Sequence, residues 1–158
     1  MGMTSPPGDP SLLIDASVLV SAAVGRGDGP SALVVATACL GGLVAITVEN
    51  AIEETRRRLL EIFNADRLKI DFSATDKRMA YIRGALTTVH PWITPPDRLW
   101  EENPDDAYLL EAIQRYRPSV LLTLDSGVRA LEEYQGTTIL QPKELLALLV
   151  SGDGLSAL

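Results

Sequence analysis

Short apolar runs alternate with longer amphipathic stretches along the chain. Continuous apolar runs of about four to eight residues are typical of buried strands, and apolar positions that recur every three or four residues are typical of helices. The pattern predicts four strands, at 11–15, 43–47, 119–125 and 137–140. It also predicts a helix that begins near Ser17 and further helices at 30–40, 48–63, 73–89, 105–116 and 142–150.

The order of these elements predicts the fold class. Strands that are joined by helices form βαβ units, in which helices cover both faces of a parallel sheet. We therefore expect an α/β fold, a three-layer sandwich with a central, mostly parallel sheet flanked by helices. Residues 1–10 are predicted to be a flexible N-terminal tail, 11–150 the folded domain, and 151–158 a C-terminal tail.

The composition is that of a globular domain. A chain of 158 residues with 46% hydrophobic and 22% charged residues can bury a core and is not expected to be disordered. No apolar run approaches the roughly 20 residues that a membrane-spanning helix needs, so we expect no membrane partner. The start of the chain lacks the features of a secretory signal, and Cys39 is the only cysteine. Both observations favour a cytoplasmic protein without disulfides.

The charge is unevenly distributed along the chain. The net charge of −7 argues against a broadly basic nucleic-acid binder. From Arg56 to His90, however, eight basic residues accompany four acidic ones, so this segment carries +4 and the rest of the chain −11. Arg56 and Arg57 are therefore candidate contacts for nucleic-acid phosphates, although a solvated helix surface would have the same composition.

Two aspartates follow predicted strands. Asp15 comes directly after the apolar run of the first strand, and Asp125 ends the third. In open α/β sheets, ligands bind outside the carboxyl ends of the strands, so we expect both side chains at one edge, in buried positions. Neither has a neighbouring lysine or arginine, the nearest being Arg129. Buried carboxylates without basic partners favour a hard cation, Mg²⁺ or Mn²⁺, and metal-assisted hydrolysis or phosphoryl transfer.

Two further acidic pairs lie at predicted helix starts. Glu53 and Glu54 lie early in the helix after the second strand, and Asp105 and Asp106 open the helix that follows Pro104. Carboxylates at such positions are also stabilised by the helix dipole, so capping remains an alternative explanation for them.

Three small hydroxyl side chains accompany the aspartates at the strand ends. Ser17 lies two residues after Asp15, Thr123 lies two residues before Asp125, and Ser126 follows Asp125 directly. Each is a candidate to hydrogen-bond a carboxylate of a metal site. Ser17 and Ser126 are equally candidates to cap the helices that begin there.

Four segments of the chain resemble the acidic elements of PIN-domain proteins. "LLIDASVLVSA" is similar to the opening strand and helix of that family, and "ITVENAIEETRRRL", "NPDDAYLLEAI" and "VLLTLDSGVRAL" are similar to its three later acidic elements. The segments occur in family order and at family spacing between about residues 11 and 149. The chain is most similar to bacterial toxin components of this family and, more distantly, to VapC-type toxins.

The resemblance implies a ribonuclease that uses Mg²⁺ or Mn²⁺ to hydrolyse phosphodiester bonds in RNA. It implies four catalytic acids, the first, third and fourth being metal ligands: Asp15, Glu53, Asp106 and Asp125. Family spacing favours Glu53 over Glu54 and Asp106 over Asp105, and both choices stay open. Ser17 and Thr123 would support the ligands, and a small antitoxin and a homodimer are the protein partners that the family suggests.

Two positions depart from the family pattern. Ser17 stands where many relatives carry asparagine, and Leu124 stands where glycine is common. Neither removes a metal ligand, so they bear on the rate more than on the reaction. Two alternatives remain: a PIN fold that serves as an interaction module with little catalysis, and a phosphoacceptor receiver-like domain. The second is disfavoured because a single aspartate ends the first strand and Lys143 lies beyond Pro142.

Overall fold

A computed structural model of the chain describes residues 11–25, 27–65, 72–89 and 106–152. The tail predicted at 1–10, residues 153–158 of the tail predicted at 151–158, and the candidate residue Asp105 lie outside the described residues. In the described ranges, no helix is long and apolar enough to cross a membrane.

The described ranges contain six strands and seven helices. The strands are β1 (Ser11–Ile14), β2 (Val44–Val48), β3 (Thr87–Val89), β4 (Val120–Leu122), β5 (Glu133–Tyr134) and β6 (Thr137–Leu140). The helices are α1 (Ala16–Val24), α2 (Pro30–Cys39), α3 (Glu49–Asn64), α4 (Phe72–Ala85), α5 (Ala107–Tyr116), α6 (Ser126–Arg129) and α7 (Pro142–Val150).

The strands form one sheet in the order β3-β2-β1-β4-β6-β5. Every neighbouring pair is parallel except β5 and β6, so the predicted α/β fold with a mostly parallel sheet is confirmed. From β1 the chain continues to β2 on one side of the sheet, and from β4 it continues to β6 on the other. The strand order therefore reverses between β1 and β4, and this is where ligands bind in open α/β sheets.

The central strand β1 contributes to the core on both faces of the sheet. Leu12 and Ile14 are fully buried with side chains of α1, α2, α4 and α7. Leu13 points to the other face, where it is fully buried with side chains of α5. A strand that is covered on both faces has no polar position, which explains the uninterrupted apolar run before Asp15.

Several predicted boundaries were wrong. The helix predicted at 73–89 ends at Ala85, and Thr87–Val89 instead form β3, where β-branched residues are favoured. The strand predicted at 119–125 spans only Val120–Leu122. The sequence also missed β5, whose two residues are too few for a recognisable pattern.

The two-sided burial of β1 predicts a large effect of truncating its side chains. We expect Leu13→Ala to lower the free energy of unfolding by about 2–5 kcal/mol, because it leaves a cavity between sheet and helix. The matched control is Leu40→Ala, at a side chain that is 81% exposed. It should change stability by less than about 0.5 kcal/mol. Urea unfolding measures both, and equal losses would contradict this account of the core.

Candidate active site

Asp15 joins the end of β1 to the start of α1. Its backbone N–H donates to the carbonyl of Leu122 at 3.0 Å, which continues the pairing of β1 with β4. Its side chain caps α1, since Oδ1 accepts the N–H of Ala16 at 2.7 Å. The residue is 5% exposed, as the sequence predicted for this aspartate. The helix begins at Ala16, so its cap is Asp15 and not Ser17.

Two hydroxyl groups hold the other oxygen of the Asp15 carboxylate. Ser17 Oγ and Thr123 Oγ1 each donate to Oδ2 at 2.8 Å, which are the hydrogen bonds that the sequence predicted for them. Each hydroxyl also accepts a backbone N–H from the segment after β4, Ser17 from Leu124 at 2.9 Å and Thr123 from Asp125 at 3.1 Å. The carboxylate is therefore fixed between the ends of β1 and β4.

Asp125 is exposed, so its predicted burial was wrong. The strand ends before it, and Thr123 is the residue that continues the ladder, with its N–H bonded to the carbonyl of Leu140 at 3.0 Å. Asp125 lies two residues further on and caps α6, where Oδ1 accepts the N–H of Val128 at 3.0 Å. It remains linked to Asp15 through the Thr123 hydroxyl.

Tyr108 joins Asp15 to an acidic residue of α3. Its hydroxyl donates to Glu54 Oε2 at 2.7 Å and lies 3.4 Å from Asp15 Oδ1. Glu54 also forms an ion pair with Arg58, one helical turn away. Glu53, which the sequence favoured, is exposed and makes no hydrogen bond or ion pair with the described residues.

The positions of Glu53 and Glu54 around the axis of α3 could have indicated which of them lies at the site. The buried positions of this helix include Ala51, Thr55 and Leu59, and Glu54 borders that stripe whereas Glu53 lies opposite to it. The role of Tyr108 had no comparable signal, because an aromatic residue near a helix start is more often part of the core.

Asp106 precedes α5 and makes no side-chain cap of that helix. Its charge is among those that raise the pKa of Tyr108, which places it near the phenol. Within the described ranges, however, no group of three or more His, Cys, Asp or Glu side chains is arranged to hold a metal ion. The structure thus groups Asp15 with Glu54 and, through Tyr108, brings Asp106 within electrostatic reach.

Burial raises the pKa of Asp15. The hydrogen bonds from Thr123, Ser17 and Ala16 act in the opposite direction, and the charge of Glu54 adds to the increase. The pKa of Tyr108 is also raised, first by burial and then by the charge of Asp15 and the hydrogen bond and charge of Glu54. The phenol is therefore a proton donor at every physiological pH.

The side chains fit a hard divalent cation in their donor chemistry. Mg²⁺ is commonly held by one or two carboxylates and several waters, and Asp15 and Glu54 supply that number of oxygen-only groups. Asp15 Oδ2 already accepts two hydroxyl hydrogen bonds, whereas the close donor to Oδ1 is the N–H of Ala16. A carboxylate oxygen has two lone-pair sites, so the Tyr108 side of Oδ1 is where a cation can bind.

An open polar cavity of about 510 Å³ adjoins this cluster. It is lined by residues of α3 and α5: Asn50, Glu53, Glu54, Arg57, Arg58 and Tyr108. Arg57, a predicted RNA contact, lines it and pairs with Glu61 at 2.6 Å. Arg56, the other predicted contact, lines a separate, mainly apolar pocket between α3 and α4. The basic segment therefore presents Arg57 and Arg58 to the acidic cluster and Arg56 elsewhere.

Comparison with known proteins bears on the fold. No family model matches the chain, and no curated protein matches it. It is similar to the crystal structure of PAE2754 from Pyrobaculum aerophilum, with a TM-score of 0.64 and 18% sequence identity, over 89% of this chain and 90% of that chain. At this identity the likeness supports the shared fold and carries no information about activity.

The raised pKa of Asp15 predicts how its replacement changes stability with pH. The ordinary value is 3.8, so the folded state binds this proton more tightly than the unfolded chain does. Ionisation of Asp15 therefore lowers the free energy of unfolding as the pH rises from about 4 through the folded-state pKa. The uncharged Asp15→Asn should gain stability relative to the wild type over that window, measured by urea unfolding with chelator present.

The matched control is Asp76→Asn, since Asp76 is exposed on α4. Its stability relative to the wild type should stay within about 0.5 kcal/mol across the same window. A stability of Asp15→Asn relative to the wild type that stays constant, or that falls, as the pH rises would contradict the burial argument.

Proposed function

We propose that the protein is a PIN-type endoribonuclease that uses Mg²⁺ or Mn²⁺ to hydrolyse phosphodiester bonds in RNA. The observation that carries this proposal is the Asp15 carboxylate, which is buried where the strand order reverses and is bonded to no lysine or arginine of the described ranges. Burial of this carboxylate disfavours its charged form even with three hydrogen bonds to it, so a fold that retains it at a ligand-binding position is a candidate for catalysis.

The chain's own residues divide the work at this edge of the sheet. Asp15 is the principal ligand and is held in one orientation by Ser17 and Thr123. Glu54 supplies the second carboxylate, and Asp106 and Asp125 border the site as acids that would act through water. The bound ion supplies Lewis-acid activation of water and offsets the repulsion between the acidic edge and RNA phosphates.

The polar cavity supports an anionic polymer as the substrate. Arg57 and Arg58 line it together with Asn50, and arginines and amides are the usual contacts for phosphates and base edges. The pair between Arg57 and Glu61 is exposed on both sides, and such pairs contribute only about 0–1 kcal/mol. A phosphate can therefore replace Glu61 as the partner of Arg57 at little cost.

An interaction module without catalysis is the second candidate. It is favoured by the lack, in the described part of the chain, of three acidic side chains grouped around one point. Such a module has no need of a cation, so a calorimetric titration with Mn²⁺ separates the two functions. The antitoxin, the homodimer and the toxin role remain predictions from the family resemblance, and the cytoplasmic location remains a prediction from the sequence.

The first test of the proposal is cleavage of a fluorescent single-stranded RNA. We expect cleavage by the wild type in Mg²⁺ or Mn²⁺ and none in chelator. Asp15→Asn should lower the rate by at least about 100-fold, because an amide is a weaker ligand than a carboxylate. Asp76→Asn, at an exposed position of α4 that does not line the polar cavity, should cleave at the wild-type rate. Undiminished cleavage by Asp15→Asn, or cleavage in chelator, would overturn the assignment.

A matched pair of variants decides between the two glutamates of α3. Glu54 contacts Tyr108 and Glu53 does not, so we expect Glu54→Gln to lower the cleavage rate by about 10–100-fold and Glu53→Gln to leave it near the wild-type rate. Both variants remove one charge from neighbouring positions of the same helix. The reverse result would favour Glu53, the residue that the family spacing suggests.

A further inference from the structure

The Tyr108 hydroxyl lies between two carboxylates. It is 2.7 Å from Glu54 Oε2 and 3.4 Å from Asp15 Oδ1, and the residue lines the polar cavity as well. A phenol has one proton, and the shorter distance assigns it to Glu54. The hydroxyl oxygen then occupies the side of Asp15 Oδ1 that protein donors leave open.

This position is electrostatically unusual. Asp15 and Glu54 are both acidic, and the charge of each raises the pKa of Tyr108. Glu54 has Arg58 as a cationic partner, whereas the donors that Asp15 finds among the described residues are hydroxyl and backbone groups. The phenol proton therefore compensates Glu54, and the phenol oxygen lies beside Asp15 Oδ1, at the position where a divalent cation would compensate both carboxylates.

We propose that Tyr108 is a placeholder for the cation: its hydroxyl occupies the metal position beside Asp15 and Glu54 in the metal-free protein and leaves when the ion binds. This inference rests on the proposed function, since it concerns the same site. Tyr108 is a positioning residue in this account. It stabilises the metal-free site and competes with the ion for it.

Competition between the Tyr108 hydroxyl and the ion determines whether removal of the hydroxyl raises or lowers the affinity for the ion. While the hydroxyl occupies the site, only a fraction of the molecules is competent to bind the ion, and the apparent affinity is lowered by that fraction. Tyr108→Phe removes the hydroxyl and keeps the ring, so Glu54 loses its phenol donor and the position beside Asp15 is vacated. The variant should be less stable without metal and should bind the ion more tightly.

The test uses Mn²⁺ without RNA, measured by calorimetric titration and by thermal unfolding of the full chain. We expect Tyr108→Phe to melt below the wild type in chelator, to gain more stability from Mn²⁺, and to bind it at least about fivefold more tightly. Tyr116→Phe is the matched control. Tyr116 lies on the same helix, and its hydroxyl makes no hydrogen bond with the described residues. It should match the wild type in both measurements.

A second measurement on the wild type does not depend on the variant's folding. Release of the phenol from a carboxylate shifts its ultraviolet absorption, so addition of Mn²⁺ should produce a tyrosine difference band that Tyr116→Phe retains. Wild-type binding without that band, or binding by Tyr108→Phe that is equal or weaker, would overturn the placeholder role and leave the proposed function standing. Failure of the wild type to bind Mn²⁺ would overturn both.

Discussion

The parallel pairing of β1 with β4 is the interaction on which the rest of the site depends. It places Ile14 beside Leu122, and the ladder continues through the N–H of Asp15 to the carbonyl of Leu122. The Asp15 carboxylate and the Thr123 hydroxyl thereby meet although 108 positions separate them in the chain. The strands β1 and β4 are the two central strands of the sheet, with β2 next to β1 and β6 next to β4. The carboxyl ends of β1 and β4 therefore lie at the middle of the sheet edge. No local segment could form this arrangement by itself.

The buried carboxylate of Asp15 lowers the stability of the fold at neutral pH and at the same time supplies a candidate metal ligand. Burial disfavours the charged form of Asp15, and the three hydrogen bonds to its carboxylate favour that form, but the pKa is raised in the balance. A hydrophobic side chain at the end of β1 would pack against the same core without this penalty. The hydroxyls of Ser17 and Thr123 fix the carboxylate in one orientation, which is what a ligand position requires and a core position does not.

The sequence predicted the parts of the site that local pattern controls. An apolar run covered on both faces identifies β1, so the position and burial of Asp15 followed from it, as did the hydrogen bond from Ser17. The burial of Asp125 was predicted wrongly because the sequence pattern does not mark where a short strand ends. Asp125 lies two residues beyond Thr123, the last residue hydrogen-bonded to β6, and its side chain is therefore in the following turn. Tyr108 and Glu54 depend on how α5 packs against α3, which is decided by tertiary contacts that no single segment encodes.

The arginines explain why Asp15 differs from the other acids of this region. Glu54 pairs with Arg58, Glu61 with Arg57, and Glu49 with Arg83 at 2.5 Å, so the basic segment neutralises acids on the surface of α3. Much of the positive charge in its composition is therefore already engaged. None of these cations contacts Asp15, which lies behind Tyr108 and is compensated by hydroxyl and amide protons. A cation from outside the chain can therefore compensate the charge of Asp15 without breaking an ion pair between Asp15 and any described residue.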